Sequence, residues 1–292
     1  MATNPVRLLD KEINELLITV ALPVFNGGKT LGVAIQSVLS QSHANFELII
    51  FDDASTDNSL EVARSFDDKR IIIIPGNKNI GLSAGLNMIA TRAQAEYMAR
   101  MDQDDICFPD RLEKQLRFLV ANPKVDLLAT ATLVFDEDHY VLGILPVKPK
   151  HDEICRRPLS GFYMPHPTWM GHIRWFRDNP YQSSADGAED QNLLFRSYRH
   201  SHYACLPEPL LAYREGKRRL RKLLRSRCIF VSSNARFAWQ SKQRCNALKI
   251  ILIQGAKIVG DTLHMSTGLP FFRNYLEKPD QDVIRAWEKL PT

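Results

Sequence analysis

From residue 16 to residue 135, short apolar runs alternate with segments whose apolar residues recur at helical spacing. That rhythm leaves few folds open to the chain. A short apolar run bounded by turn residues reads as a strand buried on both faces, and strands separated by helices pair in parallel through crossovers. The expected strands are residues 16–22, 46–51, 71–74, 97–101 and 125–135. The intervening helices are 29–41, 57–64, 81–92 and 110–120, the last opened by Pro109 as a first-turn proline should. The fold class is therefore α/β, a mostly parallel central sheet with helices on both faces. Past about residue 140, prolines at 146, 149, 158, 165 and 167 break the chain into short pieces, which read as the lining of a site. A helix over 189–198 and an apolar stretch over 203–213 follow, and from Gly216 the composition becomes that of a basic helical appendage.

Two acidic clusters interrupt this pattern where strands end. Asp52-Asp53-Ala54-Ser55-Thr56-Asp57 follows the second expected strand, and Asp102-Gln103-Asp104-Asp105 follows the fourth. Open parallel sheets bind ligands at the carboxyl ends of their strands, and carboxylates there suit a divalent cation with a nucleotide.

At 292 residues with 45% hydrophobic content, the chain can build one large domain and an appendage; disorder is not expected. The five cysteines are odd in number and form no C-x-x-C pair, which argues against a disulfide framework and a zinc ribbon and favours a reducing cytoplasm. Neither a secretory leader nor an apolar stretch of bilayer length is visible.

Six ordered blocks carry a resemblance. They are Ala21-Leu22-Pro23-Val24-Phe25-Asn26, Ser37-Val38-Leu39-Ser40-Gln41, the Asp52–Asp57 cluster, Asn79-Ile80-Gly81-Leu82-Ser83, Met101-Asp102-Gln103-Asp104-Asp105, and Glu189-Asp190 with Arg196. Together they resemble the signature of family 2 glycosyltransferases. The resemblance covers roughly residues 17–213 and implies a GT-A fold, with a nucleotide-binding half over about 17–135 and an acceptor-binding half over about 136–215. The division of the chain is then a catalytic domain over 1–215 and a basic helical region over 216–292. It also implies transfer of one sugar, with inversion, from a nucleotide-diphosphate donor, a UDP-sugar being favoured, to a glycan or lipid-linked acceptor in cell-surface polysaccharide synthesis.

The same resemblance assigns roles. Pro23, Phe25, Asn26, Asp53 and Gly81 fall on the nucleotide side, where Asp53 can accept the imide N–H of uracil. Asp102 and Asp104 match the element that holds Mn²⁺ or Mg²⁺ on the diphosphate, with Asp104 the more direct ligand. Asp190 matches the general base that takes the acceptor proton. Glu189 orients neighbours or caps its helix, and His166 and Trp169 fall on the acceptor side, Trp169 and Trp175 either stacking on a sugar or packing in the core.

Other readings compete. Asp57, Asp105 and Asp110 suit turn and helix-cap roles. Gly81-Leu82-Ser83-Ala84-Gly85 matches a serine-hydrolase nucleophile elbow, but the preceding strand ends at Ile74 and Ser83 falls inside a helical pattern. A nucleotide-sugar-binding protein without turnover would keep the fold and drop the chemistry. Processive relatives carry Gln-x-x-Arg-Trp, and Gly171-His172-Ile173-Arg174-Trp175 lacks the glutamine, so single addition is expected. The net charge of +5 is concentrated between Arg214 and Arg227 beside apolar residues at helical intervals. Residues 214–253 thus suit peripheral contact with the inner face of the cell membrane, packing on the catalytic domain, or a homodimer. Nucleic acid is not expected, because no aromatics interleave with the basic run.

Overall fold

The structure, a computed structural model, describes residues 13–216, 220–267 and 276–291. β1 (Ile18–Val24) is buried at every position and lies between β2 (Phe46–Asp52) and β4 (Tyr97–Arg100), with β3 (Ile71–Pro75) outside β2. All of these pairings are parallel. Side chains alternate between the two sheet faces, as the pleat requires. Ala21, Ile49, Phe51 and Met98 join one core, where α3 (Leu82–Arg92) seats Leu86, Ile89 and Ala90. Val20, Leu22, Leu48 and Ile50 join the other, against α1 (Leu31–Leu39) and its inward Leu31, Ala34, Ile35 and Val38. The short helix α2 (Ser59–Arg64) links β2 to β3.

The second half of the sheet is mixed. β5 (Ile106–Cys107), α4 (Arg111–Ala121), β6 (Leu127–Phe135), β7 (Val141–Leu145), α5 (His151–Ile154), β8 (Met170–His172), α6 (Ile173–Asp178), α7 (Glu189–Ser197) and β9 (Tyr203–Arg214) follow in the chain. The strand order is β3-β2-β1-β4-β8-β6-β9-β5, with β7 paired to β6. β8 runs antiparallel to β4 and β6 and so splices the parallel half to the rest. The proline-broken segment after residue 140 therefore contributes two short strands to the sheet, which its composition concealed. β9 also carries Pro207 and Pro209, and its register against β6 slips between Thr130 and Thr132, where the ladder loses those donors.

The C-terminal helices α8 (Leu220–Gln240), α9 (Arg244–Thr267) and α10 (Gln281–Trp287) do not build a core of their own. Phe230 and Ala238 of α8 join Leu193, Leu194 and Phe195 of α7, and Ala247 and Ile250 of α9 join the same cluster. Trp287 packs its ring 4.7 Å from that of Phe135, beside Ile106 and Ala212. The described residues of these helices thus pack on the same clusters as the sheet and its helices. Lys217, Arg218 and Arg219 of the basic run lie outside the described residues. Among the described residues, no helix is long and apolar enough to cross a membrane.

Candidate active site

β2 and β4 flank β1 and run parallel to it, so the two acidic clusters that follow them emerge side by side at one edge of the sheet. Between them lies a cavity of about 210 Å³ lined by Pro23, Phe25, Asp53, Gly81, Asp102 and Asp104. Asp53 is buried, and its carboxylate clasps the entry to α3: Oδ1 accepts the Ile80 N–H at 2.7 Å and Oδ2 the Gly81 N–H at 2.8 Å. Gly81 has φ +87° and a Cβ there would collide with the Asp186 carboxylate, so only glycine opens the helix this way. Asn26 is not on the cavity wall. It takes φ 52°, a conformation asparagine tolerates, and its Oδ1 accepts the Thr56 N–H at 2.8 Å, bracing the loop behind Phe25.

Gln103, which the sequence reading left without a role, ties the second cluster to the loop that follows β1. Its Oε1 accepts the Phe25 N–H at 2.8 Å and its Nε2 donates to the Phe25 carbonyl at 3.1 Å.

Carboxylate oxygens of Asp102, Asp104 and Asp105 lie within 4.8 Å of one another. Asp105, read from sequence as a turn or cap residue, is fully buried: Oδ1 accepts the Arg214 N–H at 3.0 Å and Oδ2 has no partner among the described residues. Burial, reinforced by the Asp102 charge, pushes the pKa of Asp104 up and that of Asp105 well above the usual carboxylate range. Three hard oxygen donors crowded together, one of them orphaned, fit a divalent cation such as Mn²⁺ or Mg²⁺. Arg214, counted in the basic run by composition, belongs to this site. Its Nε donates to the Asp104 carbonyl at 3.1 Å and its guanidinium lies 4.6 Å from the Phe135 ring centre.

A second cavity of about 440 Å³ shares Leu82 and Asp102 with the first and is faced by Arg100, His166, Glu189, Asp190 and Tyr213. Asp190, in the first turn of α7, accepts a 2.9 Å hydrogen bond from Gln191 Nε2, and burial raises its pKa. Glu189 makes different contacts: Oε2 accepts the Gly187 N–H at 2.7 Å, and Oε1 stands 3.6 Å from His166 Nδ1. Burial and the neighbouring Asp190 charge push the Glu189 pKa up to about 7. His166 Nε2 lies 2.8 Å from the Tyr181 hydroxyl, and burial with the nearby Arg100 charge holds the ring neutral.

Arg100 was also missed. It is 2% exposed, pairs through Nη2 with Asp102, and leaves Nε and Nη1 buried without partners among the described residues. Burial disfavours its charge, but Asp102, Tyr181, Asp105 and Glu189 outweigh that and raise its pKa. Its only sequence signal is a cation at the end of an otherwise apolar strand.

Trp169 does not face the cavity. It is wholly buried, with Nε1 donating to the Met164 carbonyl at 3.2 Å, and packs edge-on to His166 at 4.5 Å between ring centres. Trp175 is likewise a core residue, bonded to Ser201 Oγ at 2.9 Å. Ser83 sits buried in the first turn of α3, its hydroxyl directed to the Gln182 carbonyl at 3.4 Å, so the hydrolase elbow is absent.

The family described as Glycosyl transferase family 2 matches residues 19–180, more than half of the chain. A Bacillus subtilis protein named as a glycosyltransferase, EpsE, is 42% identical over 123 residues, 41% of this chain and 44% of its own length. TuaG of the same organism, named for teichuronic acid biosynthesis, is 37% identical over 106 residues, 36% of this chain and 42% of its own. The chain thus spans less than half the length of either relative. Among solved structures, S. aureus TarS in complex with UDP superposes with a TM-score of 0.61 at 16% identity, covering 86% of this chain and 72% of that one.

Proposed function

The chain belongs to glycosyl transferase family 2 and has the GT-A fold, and from that premise we propose that it transfers one sugar from a UDP-sugar to a glycan or lipid-linked acceptor in the assembly of a cell-surface polysaccharide. The observation that carries the reading is the junction of the two cavities at Leu82 and Asp102, with Asp53 and Asp104 on one side and Asp190 on the other. A displacement with inversion needs the leaving group and the base on opposite faces of the reacting carbon, and acidic groups on both sides of one junction support that reading. TarS crystallised with UDP, and TuaG is named for teichuronic acid biosynthesis; both support the choice of donor and pathway class.

On the donor side, Pro23, Phe25 and Asp53 hold the base and ribose, Asp53 being set by its clasp on Ile80 and Gly81. Asp102, Asp104 and Asp105 would hold Mn²⁺ or Mg²⁺, which when bound neutralises charge on the departing diphosphate. On the acceptor side, Asp190 takes the hydroxyl proton as the new C–O bond forms, because an un-ionised sugar hydroxyl is a poor nucleophile. Burial raises the basicity of Asp190 for this task. Arg100, which lines the acceptor-side cavity beside Asp102, would donate to oxygens of the sugar or diphosphate and offsets the neighbouring acidic charges while the donor is absent. Peripheral contact with a membrane through residues 214–253 belongs to the same reading.

A panel of nucleotide sugars, assayed for binding and slow hydrolysis with Mn²⁺ and again after chelation, tests it. Binding of a UDP-sugar that weakens on chelation is expected, and indifference to every member of the panel would remove the reading.

A further inference from the structure

The hairpin of α8 and α9 separates two properties that the sequence runs together. α8 directs Phe230, Asn234 and Ala238 inward, with Ile229 and Phe237 packed on the same core, so its apolar face is already used. Its exposed positions include Arg221, Lys222, Arg225 and Arg236. α9 buries Ala247, Ile250 and Gln254 and turns the opposite face outward. Along that face Leu248 is 57% exposed, Leu252 72% and Val259 59%, with exposed Ala256 between them at helical spacing. Ile251 and Trp239 border this stripe of side chains, and both are about half exposed. The Arg244 guanidinium lies 5.3 Å from the Trp239 ring centre at the turn of the hairpin.

A continuous aliphatic stripe on an outer helix face marks an interaction surface. The charge around it selects the occupant. Residues 220–267 hold nine lysines and arginines against one aspartate, Asp261, which pairs with Arg227 at 3.0 Å; because the whole chain is only +5, the remainder is net negative. A second copy would set two strongly basic faces together, whereas an anionic bilayer complements both the stripe and exposed Lys242, Arg244 and Lys249 beside it. Trp239 suits the headgroup level of such a surface.

The same helix holds the segment that leads into the wall of the acceptor-side cavity. From its inner face, Gln254 Nε2 reaches the carbonyls of Leu159 and Ser160 at 3.4 Å each, and Lys257 Nζ donates to the Ser160 carbonyl at 2.6 Å. That segment runs straight into Phe162 and Tyr163, which line the cavity together with Arg100.

We propose that the α8–α9 hairpin docks on an anionic bilayer, with the α9 stripe entering the headgroup boundary and the basic residues meeting lipid phosphates. This places the acceptor-side cavity beside the membrane, where a lipid-linked acceptor is presented; that last clause rests on the transferase reading above. The test is flotation of the full chain with vesicles of phosphatidylcholine alone and of phosphatidylcholine mixed with phosphatidylglycerol. Two variants accompany it, Leu252→Asp with Val259→Asp, and Arg221→Glu with Arg225→Glu. Wild type floats with the anionic vesicles, less so as salt rises, and not with the neutral ones. The aspartate pair lowers partitioning by roughly a hundredfold and the glutamate pair by at least about tenfold, while melting temperature and UDP affinity hold. Three results would overturn the inference: wild type indifferent to anionic lipid, variants that float like wild type, or a wild-type dimer in solution that the aspartate pair converts to monomer. Flotation failing while UDP binding persists removes this inference alone, whereas absent UDP binding in wild type removes the donor assignment instead.

Discussion

Replacing Glu189 by glutamine should stabilise the protein above neutral pH, because ionising this carboxyl in its native surroundings is costly. Its pKa rises from an ordinary 4.5 to about 7, through burial first and the Asp190 charge second. The native state therefore holds the proton more tightly than the unfolded chain. Below about pH 4.5 both states are protonated, and Glu189 contributes its full share of stability. As pH rises through the window from 4.5 to 7, the unfolded chain ionises first and that share is lost. The shift corresponds to about 3 kcal/mol at pH 8, an upper figure because the Asp190 charge is shared between both residues. Glutamine keeps an oxygen for the Gly187 N–H, which now sits 2.7 Å from Oε2, and it carries no charge. Urea melts of wild type and Glu189→Gln at pH 5 and pH 8 measure the effect. The variant should gain about 2–3 kcal/mol over wild type at the higher pH and little at the lower. Equal gains at both values, or a variant less stable at pH 8, would refute the assignment of a costly buried charge.

Gly81→Ala should cost about 1–3 kcal/mol in a denaturant melt and weaken UDP binding, since φ +87° and the Asp186 carboxylate leave no room for a Cβ and the Asp53 clasp would loosen. Trp169→Ala should destabilise by about 3–5 kcal/mol, as expected for emptying a fully buried site, whereas a sugar-stacking residue would lose affinity without losing stability. Asp105→Asn should weaken Mn²⁺ binding measured by calorimetry by at least about tenfold while raising the melting temperature of the metal-free protein, because it removes a buried charge whose Oδ2 lacks a partner. An unchanged Mn²⁺ affinity would exclude Asp105 from the metal set.

The parallel half of the fold was legible because its strands are uninterrupted apolar runs and its helices show their spacing plainly. That Asp53, Asp102 and Asp104 follow strands and that Asp190 opens a helix was readable from the pattern, whereas the roles proposed for them come from the family resemblance. The place of Asp105 was not readable, since an aspartate after three acidic-cluster residues looks like any turn residue until β5 pairs with β9 and brings Arg214 over it. Arg100 was hidden within a strand and Arg214 within a charge run, and their local sequence does not reveal the long-range pairing that places them. Trp169 and His166 lie three residues apart, yet only His166 lines the cavity, a choice made by packing. The short strands β7 and β8 were obscured by prolines that lie just outside them. The outward face of α9 escaped because an apolar helix does not show in its sequence which of its sides is covered.

The account stands on a division of labour between Asp104 and Asp190 across one cleft. Donor affinity and transfer measured side by side for wild type, Asp104→Ala and Asp190→Asn test it most directly. Asp104→Ala should weaken Mn²⁺-dependent binding of the nucleotide sugar, whereas Asp190→Asn should bind it as wild type does and lose transfer by about 10²–10⁴-fold. Transfer surviving in Asp190→Asn, or donor affinity unchanged in Asp104→Ala, would contradict the account.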